Sequence, residues 1–321
     1  MPDRELSPRF RSPADDDPPV LFLNQGAGKE RAGRRLTQVL EVFKRRGCRV
    51  ETIETQSRSD LEERAEKFIR EGRKIFLGMG GDGTVQGLIQ ATLGHDAKIG
   101  IIPAGGGNDF AAALGLPRDP VEAAEKLFNC EPRPVDVVMA RTDDGNRRIY
   151  VGGGGIGLDA ETAKYAANHY QRWPGRISYV AAALHALKRF EPLRVRAQFW
   201  TPDFGELESE ALLACALNSP TYGGGMRLAP RARVDDGLVD LTLLDYLSAS
   251  QVIGLVPRLL ATGEISFPGM QRVQCTRMRL EPDRRCFFHG DGEIFGPAPV
   301  EIEVLPKAAC VLSPPGKEAA A

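Results

Sequence analysis

KIFLGMGGDGTVQGLIQATLG (Lys74–Gly94) is the stretch that decides the architecture. Its first six residues form a short apolar run of strand length, and its last ten carry Val85, Leu88, Ile89 and Leu93 at helical spacing. Between them lies GGDGT, Gly80–Thr84. A strand, a glycine turn and a helix in this order make half of a parallel βαβ unit. Three glycines in four positions bring main-chain amides close to a ligand, and the positive end of the following helix favours an anion there. The competing reading is a tight turn with Asp82 as a helix cap. The pattern is neither GxGxxG nor GxxxxGK[ST], so it indicates neither a Rossmann dinucleotide site nor a P-loop.

Outward from this segment the alternation continues. VLFLN (Val20–Asn24), CRVETIET (Cys48–Thr55) and KIGIIPA (Lys98–Ala104) read as further strands. Helical stretches intervene, one with Leu36, Leu40 and Phe43 on a face. Another has Leu61, Ala65, Phe68 and Ile69 behind a capping box of Ser59 and Glu62. This predicts an N-terminal doubly wound α/β domain. The Lys98–Ala104 strand ends in a second glycine cluster, Gly105–Gly106–Gly107–Asn108–Asp109, before FAAALG. Asn108 and Asp109 are also ordinary helix-start residues. Two such turns on probable neighbouring strands are placed to hold a triphosphate and its nucleoside.

Past Pro134 the texture changes. VDVVMAR, TDDGNRR and IYVGGG read as a hairpin, followed by helical stretches at 159–170 and 177–190. Strands are expected near 193–201, 208–217, 238–245, 272–280, 285–289 and 300–305, which predicts an antiparallel β-sandwich with inserted helices. The division is residues 1–18 as a disordered lead-in, 19–136 as the α/β nucleotide-binding domain and 137–306 as the sandwich. Residues 307–321 form a C-terminal segment with a disordered end, its return to the first domain left open.

Of the 321 residues 42% are apolar and 26% charged, and 42 Lys+Arg nearly cancel 43 Asp+Glu. That balance argues against a general nucleic-acid binder. Six scattered cysteines without a CxxC pair read as buried thiols in a reducing compartment. No apolar stretch approaches the roughly 18 residues of a spanning helix, and the polar N-terminus is no signal peptide. A cytoplasmic protein is expected, with any membrane contact peripheral at the inner face. Oligomeric state is unreadable. Residues Lys164–Arg196 hold seven basic residues, one acid and interleaved aromatics. They read either as a surface for anionic lipid or as an ordinary solvated face over a core.

The chain resembles the diacylglycerol kinase and sphingosine kinase catalytic-domain family, especially its soluble bacterial lipid kinases. The resemblance runs from about Val20 to Val311 through NQGAGK (Asn24–Lys29), Thr55, GGDGT, PAGGGNDFA (Pro103–Ala111), GGGMRLAPRARVDDGLVDL (Gly223–Leu241) and GDGE (Gly290–Glu293). GGDGT alone is shared with NAD kinases and phosphofructokinases; the set in this order is far more specific. It implies an ATP- and magnesium-dependent kinase acting on the hydroxyl of a lipid such as diacylglycerol at a membrane surface, with ATP in the cleft between the domains. Nucleotide contacts are implied for Asn24, Thr55, Gly80, Gly81, Asp82, Gly83, Thr84, Val85, Gln86, Gly105, Gly106, Gly107, Asn108 and Asp109. Asp82 is implied in the magnesium (Mg2+)–phosphate network, Asp291 as general base and Glu293 as its support. The Asp236 carboxylate, with the carbonyls of Val239 and Leu241, matches a structural metal site. Taken alone, GDGE reads as a β-turn and DGLVDL as a turn into a strand. Departures are Gln25 and Ala27 for Pro and Ser, Gln86–Gly87 for Asn-Glu, Gly106 for Thr, and Gly153 or Gly154 for Asn. None removes a carboxylate; they bear on nucleotide affinity and purine preference. A soluble-substrate kinase of the NAD kinase type and a non-catalytic nucleotide or lipid sensor are the competing functions.

Overall fold

The computed structural model describes residues 17–24, 29–158, 160–162, 175–187, 190–201, 203–263 and 269–315. They fall into two compact units: residues up to Val135 together with those from Ala308 onward, and Asp136–Lys307.

The first unit is a parallel sheet built from β1 (Val20–Asn24), β2 (Glu51–Thr55), β3 (Ile75–Gly80) and β4 (Lys98–Pro103), in the order β2-β1-β3-β4. The last strand of the chain, β15 (Val300–Ser313), joins β4 in parallel, with Val311 opposite Ile99. Strands β1, β3 and β4 are near-continuous apolar runs because both faces are covered, whereas β2, ETIET, is the partly exposed edge strand. Phe22, Phe76, Leu77 and Ile99 are fully buried, and Phe22 meets Phe68 of a covering helix edge-on at 6.2 Å. The helices are α1 (Lys29–Arg45), α2 (Arg58–Arg70), α3 (Asp82–Thr92), α4 (Asp109–Ala113) and α5 (Pro120–Leu127). From β1 the chain passes to β2 on one side and then to β3 on the other. The order therefore reverses between β1 and β3, and ligands of open α/β sheets bind outside the carboxyl ends of the strands at such a point. Asn24 and Gly80 end the two strands that flank it.

The second unit is antiparallel. β5 (Glu131–Thr142) and β6 (Arg147–Tyr150) form the expected hairpin. β9 (Phe204–Leu217) is the long shared strand. Its first half pairs with β8 (Leu193–Trp200), and its second half lies between β7 (Gly153–Gly157) and β10 (Val239–Asp245). Beyond these lie β11 (Met270–Cys275), β12 (Arg277–Pro282), β13 (Phe287–Gly290), β14 (Glu293–Pro297) and the first half of β15. The inserted helices are α6 (Gly175–Leu187) and α7 (Ala249–Thr262). The core packs Val138, Tyr150, Leu241, Met278, Phe288 and Ile302 together.

Four readings need correction. The cap of α2 is Ser57, whose hydroxyl accepts the Asp60 amide; Ser59 lies inside the helix, and Glu62 pairs with Arg58 rather than closing a capping box. The single strand expected at 272–280 is two, because Thr276 turns aside to donate to the Trp200 carbonyl and the partners change from β10 to β8 and β15. Helix α7 is not among the expected elements; its run Val252–Ile253–Gly254–Leu255–Val256–Pro257 carries a glycine and a proline, the two poorest helix formers. Helix α5 was also passed over, although Asp119 before Pro120 is an N-cap with proline at the first position, and its carboxylate accepts from Val121 and Glu122. The helix expected at 159–170 lies almost wholly outside the described residues. No helix among the described residues is long and apolar enough to cross a membrane.

The corrected cap predicts that Ser57→Ala lowers unfolding free energy by about 1 kcal/mol, whereas Ser59→Ala changes it by less than about 0.5 kcal/mol. Urea unfolding followed by circular dichroism distinguishes them; equal effects contradict the assignment.

Candidate active site

In the first unit two glycine turns lie against each other. Gly80 ends β3, Gly81 precedes the first residue of α3, and the Ala104 amide donates to the Gly80 carbonyl at 2.8 Å. A Cβ on Gly105 would stand 2.5 Å from the Gly81 Cα, so backbone meets backbone with no room for a side chain. Asn108, in the left-handed region at φ +57°, ties its own turn shut. Its Oδ1 accepts from the Gly105 amide and its Nδ2 donates to the Gly105 carbonyl. Asn108 is therefore at the helix start, but its side chain closes the turn instead of capping α4.

Asp82 supplies that cap. Its carboxylate accepts from the Phe110 amide at 3.1 Å, with the amides of Asp109 and Asn108 also turned on it. The residue stands at the start of α3 and serves the start of α4, linking the two turns. Burial raises its carboxyl above the ordinary aspartate range, and the amide hydrogen bonds oppose that rise. A half-buried hard-oxygen donor beside convergent amides fits magnesium held with phosphate oxygens.

The other first-unit candidates fall into two groups. Asn24 and Thr55 end neighbouring strands in register, and the buried Thr55 hydroxyl donates to the Leu23 carbonyl. Thr84, Val85 and Gln86 are buried; Gln86 accepts from Arg58 at 2.8 Å. The Thr84 and Val85 amides donate to the Gly81 carbonyl at 3.0 and 3.3 Å and close the first turn of α3.

In the second unit GDGE is a two-residue hairpin turn between β13 and β14, closed by the Gly290–Glu293 pair. Its central residues have φ +48° at Asp291 and +84° at Gly292. Asp-Gly is the dipeptide that such a left-handed turn selects. The turn reading and the functional reading are therefore compatible. Three consecutive amides converge on the Asp291 carboxylate: Val151 on Oδ2 at 2.8 Å, and Gly152 and Gly153 on Oδ1 at 2.9 and 3.1 Å. They occupy three of the about four lone-pair positions of a carboxylate. The Asp291 amide in turn donates to the Gly153 carbonyl. Glu293 pairs with Arg148 at 2.7 Å, and that guanidinium also covers the Phe295 ring.

Around DGLVDL the carboxylate expected to bind metal, Asp236, is exposed and accepts from the Leu238 amide, while Val239 and Leu241 sit within β10. Two carboxylates are buried here, Asp136 and Asp240; Asp136 accepts from the Gly237 and Lys307 amides at 2.7 and 2.8 Å. Burial, with Asp236 nearby, pushes Asp240 up to about 6 against the Gln274 hydrogen bond. Among the described residues no three or more His, Cys, Asp or Glu side chains gather as a metal site. The amides of 151–153, Arg148 and Asp136 were not singled out in advance. The run of glycines at 152–155 and the lone aspartate in VDVV were the available signals.

The matches to known proteins agree with this anatomy. Residues 18–140 match the diacylglycerol kinase catalytic domain, and 154–313 match the YegS C-terminal NAD kinase beta sandwich-like domain. A diacylglycerol kinase of Mycobacterium tuberculosis (strain CDC 1551 / Oshkosh) is 30% identical over 298 residues, spanning 92% of this chain and 94% of its own. A Bacillus subtilis (strain 168) diacylglycerol kinase is 26% identical over 300 residues, spanning 92% and 96%. The solved structure of a diacylglycerol kinase from Bacillus anthracis str. Sterne superposes with a TM-score of 0.69 at 20% identity over 93% of this chain and 97% of that one, a likeness of fold. A two-domain kinase fold with two abutting glycine turns thus defines the class. The chain belongs to the diacylglycerol kinase family of lipid kinases.

Gly105→Ala must push the two turns apart, since its methyl meets backbone. The expected result is nucleotide affinity lowered about tenfold or more, equivalent to about 1.4 kcal/mol, by titration calorimetry. Unchanged affinity would separate the turns from nucleotide binding.

Proposed function

We propose that this protein transfers the γ-phosphoryl group of ATP to the hydroxyl of a lipid such as diacylglycerol, with magnesium. The observation that carries the reading is the Asp291 carboxylate, fixed on a left-handed turn by three amides. Phosphoryl transfer asks little covalent chemistry of the protein; it asks for positioning and charge neutralisation. The amides of Gly80–Thr84 and the positive end of α3 receive the triphosphate. The Gly105–Asn108 turn, held by Asn108, forms the second wall, and Asn24 and Thr55 border the nucleoside. Asp82 holds the metal directly or through water, and magnesium supplies neutralisation of the phosphate charge. Asp291 takes the proton from the lipid hydroxyl as that oxygen attacks phosphorus and ADP leaves. Glu293, neutralised by Arg148, braces the same turn. Asp236, with the Val239 and Leu241 carbonyls, is the proposed structural metal site, steadied by Asp136 from within.

The basic segment remains the proposed membrane contact, in reduced form. Arg194 and Arg196 are paired with Glu208 and Glu206 on β9. Lys164, Arg172, Lys188 and Arg189, and the Arg176 side chain, lie outside the described residues.

The test is ATP consumption with magnesium when dioleoylglycerol, sphingosine, ceramide or NAD is supplied in turn. Turnover with dioleoylglycerol is expected; turnover with NAD alone would overturn the reading. Asp291→Asn should lower kcat by about 10²–10⁴-fold and leave ATP binding intact, and near-normal turnover would remove Asp291 from the base role. Reversing charge at Arg172, Arg176 and Lys188 should weaken binding to anionic vesicles by about 1 kcal/mol per residue, measured by co-sedimentation.

A further inference from the structure

The amides that aim Asp291 are themselves held from behind. The peptide between Val151 and Gly152 presents its N–H to Asp291, and its carbonyl, that of Val151, accepts from Asn218 Nδ2 at 3.0 Å. The next peptide presents the Gly153 N–H to Asp291. Its carbonyl, that of Gly152, accepts from the Asn218 and Ser219 amides at 2.8 and 3.1 Å. A peptide unit is planar, so anchoring its oxygen sets the direction of its N–H. A donor on the oxygen also polarises the unit and strengthens the bond made by the opposite N–H.

Asn218 follows the last residue of β9, is fully buried, and reaches both peptides, one through its side chain and one through its backbone. Nδ2 also donates to the Asp136 carbonyl at 3.3 Å, while Oδ1 meets no protein donor. Two carbonyls facing the same end of the side chain require the amino group there. The residue therefore works as a donor, and an isosteric aspartate would set a charge against two carbonyl oxygens.

We propose that Asn218 is a positioning residue for Asp291, acting through the two peptides of Val151–Gly153. It touches neither substrate nor nucleotide in this role. The proposal rests on the reading of Asp291 as the general base.

The experiment is a double-mutant cycle between Asn218→Asp and Asp291→Asn, with Asn218→Ser in place of the aspartate if that variant does not fold. Asn218→Ser keeps the main-chain donors and removes the side-chain carboxamide with its Nδ2 donor. Either variant is expected to lower kcat with dioleoylglycerol by about 10²-fold, the order seen when a reacting group is displaced by about 1 Å. The KM values for ATP and lipid should stay within about twofold, and in the Asp291→Asn background the added substitution should change kcat by less than about twofold. The same loss in both backgrounds, or KM rising as kcat falls, would mean a general structural role and overturn the proposal. If the unsubstituted protein phosphorylates no lipid, the function reading fails and amide hydrogen exchange decides the clamp. Exchange at Gly152 and Gly153 faster by about tenfold or more in Asn218→Ser supports it; unchanged exchange overturns it.

Discussion

Three backbone amides converging on one carboxylate organise the second unit. To receive them, Asp291 occupies the left-handed region, where a non-glycine residue is uncommon, and the two-residue turn between β13 and β14 puts it there. To supply them, the chain at 151–153 must come within hydrogen-bond distance of the hairpin, and side chains would prevent it. A Cβ on Gly152 would stand 2.9 Å from Asp291 Oδ1, and one on Gly154 2.5 Å from the His289 carbonyl. The glycines, the turn and the Asn218 anchor are parts of one arrangement.

The first unit uses the same kind of contact for another end. Asp82 leaves the start of one helix to satisfy amides at the start of the next, and so ties two glycine turns whose backbones also meet directly. Helix starts present unsatisfied N–H groups, and a carboxylate is the natural partner for them. Burial raises the Asp82 carboxyl above its usual range. A cation held there, as proposed above, would favour the ionised form and so be coupled to the geometry of both turns. Positioning and charge are set by one residue, which is what a phosphoryl-transfer site requires.

Much of this was legible beforehand. The apolar runs at 20–24, 74–79 and 98–104 read as strands covered on both faces, and the last two end in turns that hold glycine where a ligand or another backbone approaches. GDGE was readable twice over, as a turn and as a site, and both readings describe the same residues. What escaped was of a different kind. The cap at Ser57 rather than Ser59 depends on where the helix begins relative to β2. The break at Thr276 is marked by a change of phase, with Val273 and Cys275 facing inward before it and Met278 and Leu280 after it, but the change of partner strands there is not a local property. Helix α7 carries Gly254 and Pro257, which locally read as a break and are overridden by tertiary packing. Gln86 looked like a ligand contact by its place in the motif, yet Arg58, twenty-eight residues away in the chain, claims its side chain.

The sequence by itself determined the α/β and antiparallel halves, the two glycine turns and the identity of Asp82 and Asp291, because periodicity and turn chemistry are local and act over a few residues. Only the tertiary structure decided which groups those carboxylates meet: the amides of 108–110 for one and of 151–153 for the other. Backbone amides are the same in every residue but proline and leave no mark in the sequence. Their direction is fixed by packing between segments far apart in the chain, as Asn218 behind Gly152 makes plain.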